Sequence, residues 1–256
     1  MFKKRRQRSI SLHAGKSGER AYAVGDVHGC VDLLQALLRK IELHFAQSAP
    51  KPAHLIFLGD LIDRGPASKD VIELLINRDH GQLMPHYIMG NHEESLLRGL
   101  SGESSLLEPW LRHGGYKTAE SYGADRSLLI GRPAHELEHI LRSAIPSSHL
   151  DFLATFVDSI KFGDVLFVHA GIRPGVSLDE QSSRDMRWIR KDFLESETDF
   201  GCLVVHGHTI TETIQEKPNR IGLDTGAYST GVLSAIWIDG EEHGQLQTKM
   251  PPKTYR

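Results

Sequence analysis

Leu55-Ile56-Phe57-Leu58-Gly59-Asp60-Leu61-Ile62-Asp63-Arg64-Gly65 is an apolar run that breaks into a glycine-bounded loop carrying two acids and an arginine. The same pattern recurs on either side. Tyr22 to Val24 leads into Gly25-Asp26-Val27-His28-Gly29, and Tyr87 to Met89 leads into Gly90-Asn91-His92-Glu93. Asp26, Asp60 and Asn91 are separated by 34 and 31 residues, about the length of one strand–helix–strand unit, roughly 30 residues or more. Strands joined by such crossovers run parallel, so the three loops emerge at one edge of one sheet, where open α/β sheets bind ligands. Two further apolar runs deliver histidines: Val165 to Val168 before His169-Ala170-Gly171, and Leu203 to Val205 before His206-Gly207-His208-Thr209. Imidazole mixed with carboxylate suits Mn, Fe, Zn, Co or Ni, whereas an all-oxygen set would suit Mg or Ca. The donors outnumber what one ion needs. Two ions with Asp60 as a shared ligand account for the surplus.

The ordered set GDVHG, GDLIDRG, GNHE, HAG and HGHT resembles the calcineurin-like metallophosphoesterases, and within them the phosphoprotein phosphatase branch that includes bacterial and phage serine/threonine phosphatases. The resemblance spans about residues 21 to 240. It implies Asp26, His28 and Asp60 on a first ion, and Asp60, Asn91, His169 and His208 on a second. It further implies a water acidified between two ions, about 3.5–4 Å apart, that attacks phosphorus in line. Neither Cys30 nor a serine is then needed as nucleophile. His92 is the expected general acid, oriented by Asp63. Arg64 offers a bidentate fork for phosphate oxygens, and Arg190, in Trp188-Ile189-Arg190, matches a second clamp. Parity leaves His206 and His208 on the same side of their strand. The family pattern selects His208, the histidine directly before threonine, and leaves His206 as a packing or supporting histidine whose own contribution to the metal site stays open.

Two departures bear on substrate. Thr209 is followed by Ile210, not by the further histidine of the diesterase branches. Asp63 and Glu93 also differ from what resemblance to the bacterial diadenosine tetraphosphate hydrolases predicts, a non-acidic residue and an aspartate. Both favour a phosphomonoesterase acting on phosphoserine and phosphothreonine in proteins. The alternative is a small-molecule phosphoesterase such as a dinucleoside polyphosphate hydrolase. A non-catalytic scaffold would not need the complete set of ligands and clamps. The expected cofactors are two divalent ions, Mn ahead of Fe, Zn, Ni or Co.

The chain has 256 residues, two cysteines and a formal charge of −3, a cysteine usage typical of a reducing, cytoplasmic compartment. Lys3, Lys4, Arg5, Arg6 and Arg8 form a basic start, leaving an acidic body that argues against general nucleic-acid binding through phosphates. No apolar run approaches the roughly 18 residues of a membrane span. Residues 1–20 read as a disordered tail and 21–256 as one domain, with the oligomeric state left open.

Helical periodicity covers Val31 to Phe45 and Ala134 to Ile145. Ser68 reads as the N-cap of a helix, and Ser148 with Asp151 reads as a capping box. Glu93 and Glu94 suit a helix first turn. About 101–160 reads as a helical insertion near the metal edge. Within it, Trp110 to Tyr116 is glycine-rich, and His113 is held as a reserve site histidine. Alternating segments after residue 160, with a turn signal at Asp239-Gly240, complete an expected α/β fold: a four-layer αββα sandwich of two mixed sheets flanked by helices.

Overall fold

A computed structural model describes residues 13–251. The basic cluster Lys3 to Arg8 lies outside the described residues. Residues 14–15, assigned to the tail from sequence, are hydrogen-bonded: the Gly15 amide donates to Gly240 O, and Ala14 O accepts from the Asp164 amide.

The strands are β1 (Arg20–Val24), β2 (Ala53–Phe57), β3 (Leu83–Tyr87), β4 (Ser159–Phe162), β5 (Val165–Val168), β6 (Leu203–His206), β7 (Gln215–Lys217), β8 (Arg220–Gly222), β9 (Val232–Asp239) and β10 (Glu242–Lys249). They form two five-stranded sheets, ordered β10-β9-β1-β2-β3 and β4-β5-β6-β8-β7. The pairs β1–β2 and β2–β3 are parallel, as are β5–β6 and β6–β8. Three helices follow the first three strands: α1 (Val31–Ala46), α2 (Ser68–Asn77) and α3 (Asn91–Leu100). The insertion adds α4 (Leu107–Trp110), α5 (Tyr116–Ser121), α6 (Ala134–Ala144) and α7 (Ser147–Ala154); α8 (Ser183–Trp188), α9 (Lys191–Leu194) and α10 (Ala227–Thr230) come later.

Period-two alternation builds the layers. Ala21, Ala23, Ile56 and Leu58 face the second sheet and pack with Val165, Phe167, Leu203 and Val205. Their neighbours Tyr22, Val24, Leu55 and Phe57 turn the other way, onto Leu34, Leu37, Ile41 and the insertion's Leu107, Leu137 and Leu141. On the far face of the second sheet, Leu166, Val168 and Val204 meet Ile189 and Phe193. This is the αββα sandwich.

Local details depart from the sequence reading. β3 lies upstream of the expected Tyr87–Met89. Pro85 hides it, and the edge of the sheet is where a strand tolerates proline. Ser68 is not an N-cap; its hydroxyl accepts the Asp63 amide across the loop. The Ser148–Asp151 box does not form, because α7 already starts at Ser147, after Pro146, where its first turn needs one fewer donor partner. Trp110 to Tyr116 is a wide helical turn with Gly114 at φ 127°. His113 points outward, bonded to Pro109 O.

Candidate metal centre

All five non-glycine residues with positive φ among the described residues are candidate site residues: His28, Asp60, Asp63, Arg64 and His208. Such backbone costs of order 1–3 kcal/mol per residue and persists only where surroundings impose it. Here the surroundings can be named. The Val27 and His28 amides both donate to Asp60 O, joining the first two loops. The buried Glu93 carboxylate accepts four amides, from Gly90 and Asp60 on one oxygen and from Leu61 and Ile62 on the other, at 2.7–3.2 Å. Glu93 thereby ties the third loop to the second, a role well beyond a first-turn charge.

Two groups of buried donors converge. His28, Asp60 and His92 form one, Asp60, His169 and His208 the other, the atoms of each lying within 4.8 Å of one another. Asp60 belongs to both. Asn91 Oδ1 joins the second group, 3.0 Å from His169 Nε2. Asp26 stands beside them, its two oxygens taking the His208 amide at 3.1 Å each. Gly207 permits this approach, since a Cβ there would lie 2.0 Å from Asp26 Oδ1.

The donor chemistry fits cations. His28 Nδ1 bonds Ile62 O and His169 Nδ1 bonds Leu58 O, at 2.8 and 2.7 Å. Each neutral ring then aims a bare Nε2 inward. His28 Nε2 is buried with no hydrogen-bond partner among the described residues, Asp60 Oδ2 standing 3.6 Å away. His169 Nε2 faces Asn91 Oδ1 and, 3.2 Å away, His208 Nδ1. Burial pushes the His28 and His208 pKa down, to about 3 and about 2, so both rings stay neutral. Burial together with the charges of Asp224 and Asp60 drives Asp26 well up. Crowded acids and lone pairs of this kind are what divalent ions neutralise.

The expected acid is buried within the first donor group. His92 Nδ1 is 2.6 Å from Asp63 Oδ2, and His92 Nε2 is 3.1 Å from Arg64 Nη2. Burial opposes its protonation, but Asp60 and the Asp63 hydrogen bond prevail and push its pKa up to about 9. Asp63 is fully buried and held by the insertion: Thr118 Oγ1 donates to Asp63 Oδ1 at 2.6 Å and accepts the Asp63 amide at 2.9 Å. Gly114 O accepts the Arg64 amide. Arg190, exposed, donates to Thr209 Oγ1 at 3.2 Å. His206 lies outside both donor groups, its Nδ1 bonded to Gly207 O and its ring edge-on to Phe193.

Sequence reasoning missed Thr118, Tyr228 and Asp224, and singled out Gly114 only as part of the glycine-rich segment Trp110 to Tyr116. Tyr228 lies under the Arg64 guanidinium, 5.2 Å from ring centroid to Cζ. Asp224 is 1% exposed, and its charge helps to raise the pKa of Asp26. Its signal was present: Ile221-Gly222-Leu223 before Asp224-Thr225-Gly226 repeats the pattern of an apolar strand followed by an acid and a glycine.

Residues 20–229 match the calcineurin-like phosphoesterase family. The chain belongs to that family and is a metallophosphoesterase. Among similar proteins, the bis(5'-nucleosyl)-tetraphosphatase PrpE [asymmetrical] of Bacillus anthracis is 25% identical over 253 residues, covering 91% of this chain and 97% of that one. Its namesake from Bacillus velezensis is 24% identical, covering 89% and 92%. A solved structure described as a candidate diadenosine tetraphosphatase superposes with a TM-score of 0.63 at 23% identity, over 95% of this chain and all of that one. A cold-active protein-tyrosine phosphatase of a psychrophilic Shewanella superposes at 0.56 with 22% identity, over 91% and 81%. The last two likenesses speak to the fold. Among the described residues, no helix is long and apolar enough to cross a membrane.

Proposed function

We propose that this protein hydrolyses dinucleoside polyphosphates with two divalent ions, Mn foremost. The observation that carries the metal chemistry is the sharing of Asp60 between two buried donor groups. Asp26, His28 and Asp60 would hold one ion, and Asp60, Asn91, His169 and His208 the other. Bound there, the ions would acidify a water and neutralise phosphate oxygens. The substrate class rests on relatives matched over nearly their full length, and it displaces the phosphoprotein reading that Asp63 and Glu93 favoured.

The chain's own groups supply the rest. Arg64 and Arg190 present guanidinium forks to phosphate oxygens. His92 gives its Nε2 proton to the departing oxygen. As placed, Arg64 Nη2 needs a lone pair on that nitrogen, and a phosphate oxygen taking the Arg64 fork would release Nε2 to carry the proton favoured by Asp60 and Asp63. Asp63, fixed by Thr118, keeps the ring aimed.

Phosphoserine in proteins remains the second reading, and the His92–Asp63 pair supports it, because a serine alkoxide needs a proton more than a nucleotide phosphate does. Turnover of diadenosine tetraphosphate and of a phosphoserine peptide, measured side by side with Mn, decides between them. AMP and ATP as products identify the off-centre cleavage named for the Bacillus relatives. Faster turnover of the peptide overturns the proposal.

A further inference from the structure

Sequence reading left Glu94 as a first-turn acid of α3, but its side chain is 11% exposed and reaches across to another part of the fold. Oε1 accepts Arg187 Nη1 at 2.9 Å, and Oε2 accepts the indole Nε1 of Trp188 at 2.5 Å. Arg187 is gripped a second time by Asp158, 2.7 Å from its Nε. Asp158 also takes the Ser183 hydroxyl at the start of α8. The strand end beside Asp158 is fixed in turn: the Val157 amide donates to Tyr87 O, and Val157 O accepts the Met89 amide, just ahead of Asn91. Helix α8 stops at Trp188, and two residues later comes Arg190, whose guanidinium reaches Thr209 beside His208.

We propose that Glu94 is a positioning residue for Arg190; this rests on the reading of Arg190 as a phosphate clamp. The α3 helix carries Asn91 and His92 at its first turn and Glu94 one step further. Two hydrogen bonds donated to Glu94 by Arg187 and Trp188 therefore fasten the residues just before Arg190 to the element that carries the acid. Arg190 itself is exposed, and among the described residues its guanidinium makes one side-chain hydrogen bond, to Thr209, so its reach toward the acid must come from the backbone that leads to it. Trp188, although 44% exposed, is oriented by its indole N–H. The Glu94–Arg187–Trp188 brace sets the distance between the clamp and His92, and so the grip on phosphate.

The test uses Glu94→Ala, Glu94→Gln, Trp188→Phe, Arg190→Ala and the double variant of Glu94→Ala with Arg190→Ala, all loaded with Mn. Affinity for inorganic phosphate, KM and kcat are measured for each. Glu94→Ala should weaken phosphate binding and raise KM by about tenfold, the size of one hydrogen bond to a charged group, with kcat nearly unchanged. Glu94→Gln should recover part of the affinity, and Trp188→Phe, which deletes a single donor, should lose part of it. In the Arg190→Ala background, Glu94→Ala should cost nothing more. The Trp188 emission, read as the difference from Trp188→Phe, should shift in Glu94→Ala. Wild-type phosphate affinity in Glu94→Ala alongside weakened binding in Arg190→Ala overturns the inference alone. Additive losses in the double variant, or a fall in kcat and melting temperature with KM unchanged, overturn it too. Unchanged phosphate affinity in Arg190→Ala removes the clamp reading and the inference with it.

Discussion

The metal edge and the helical insertion are built by opposite rules. At the edge, five side chains sit on left-handed backbone, acids are buried beside acids, and amides converge on one carboxylate. Over residues 101–160 positive φ is confined to glycines, and charge is laid out in surface pairs one helical turn apart, such as Arg132–Glu136 and Arg142–Glu138. The edge departs from what the backbone prefers wherever a donor must be aimed. The insertion follows those preferences and reaches the site at two points, Gly114 and Thr118. Local irregularity therefore marks chemistry, and regularity marks support.

The hardest way to break this contrast is Asp60→Asn. It removes charge from both donor groups, so metal analysis should show loss of more than one ion per two bound. Turnover should fall by far more than the roughly 10- to 100-fold typical of removing a mere partner of a ligand. Retention of both ions would dissolve the shared-ligand picture.

His92→Ala comes next. On substrates with basic leaving groups it should lower kcat by about 10²- to 10⁴-fold, and on an activated aryl phosphate by much less. Equal losses on both would make His92 a holder of phosphate or metal.

Asp63→Asn sharpens the same point through pH. Asp60 and Asp63 raise the His92 pKa, so the protonated acid persists below about 9 and is lost as pH rises through that value. With the Asp63 charge removed, His92 titrates lower. The alkaline limb of the kcat profile should move down, and an unmoved limb would assign it to another group.

The insertion offers the two smaller effects. A methyl at Gly114 would meet Arg64 Cγ at 2.7 Å and its amide nitrogen at 2.8 Å, on backbone at φ 127°. Gly114→Ala should cost of order 1–3 kcal/mol in denaturant stability and raise KM through Arg64. Arg132→Ala, which breaks an exposed pair, should change stability by no more than about 0.5 kcal/mol and activity not at all. A larger effect of Arg132→Ala than of Gly114→Ala would invert the contrast.

The sandwich and the converging loops were legible because each buried strand ends in a glycine-flanked polar cluster, a local signal repeated five times. The residues that steady them were not. Thr118 lies in α5, where a threonine has no distinguishing pattern, and it matters only because the fold carries it 55 positions back to Asp63. Glu94 looked like any acid at a helix start, since its partners Arg187 and Trp188 are more than 90 positions away. Ser68 was read as a cap because hydroxyls favour caps, but a buried amide from Asp63 competed for the oxygen and won. The sequence-based lead for protein substrates rested on Ile210 after Thr209, on Asp63 and Glu93, and on the resemblance itself; relatives named for dinucleoside tetraphosphates and matched over most of the chain lend more support to the alternative.

The five left-handed residues also bear on how long the protein survives in a cell. Together they hold several kilocalories per mole of backbone strain, at about 1–3 kcal/mol each, within a fold whose total margin is about 5–15 kcal/mol. Any ligand that binds only the folded form returns stability in proportion to the logarithm of its concentration. Ions drawn to this edge would then act on turnover of the polypeptide as well as on turnover of its substrate. Chains short of metal would open and be degraded sooner, and abundance would follow the supply of the ion the site prefers.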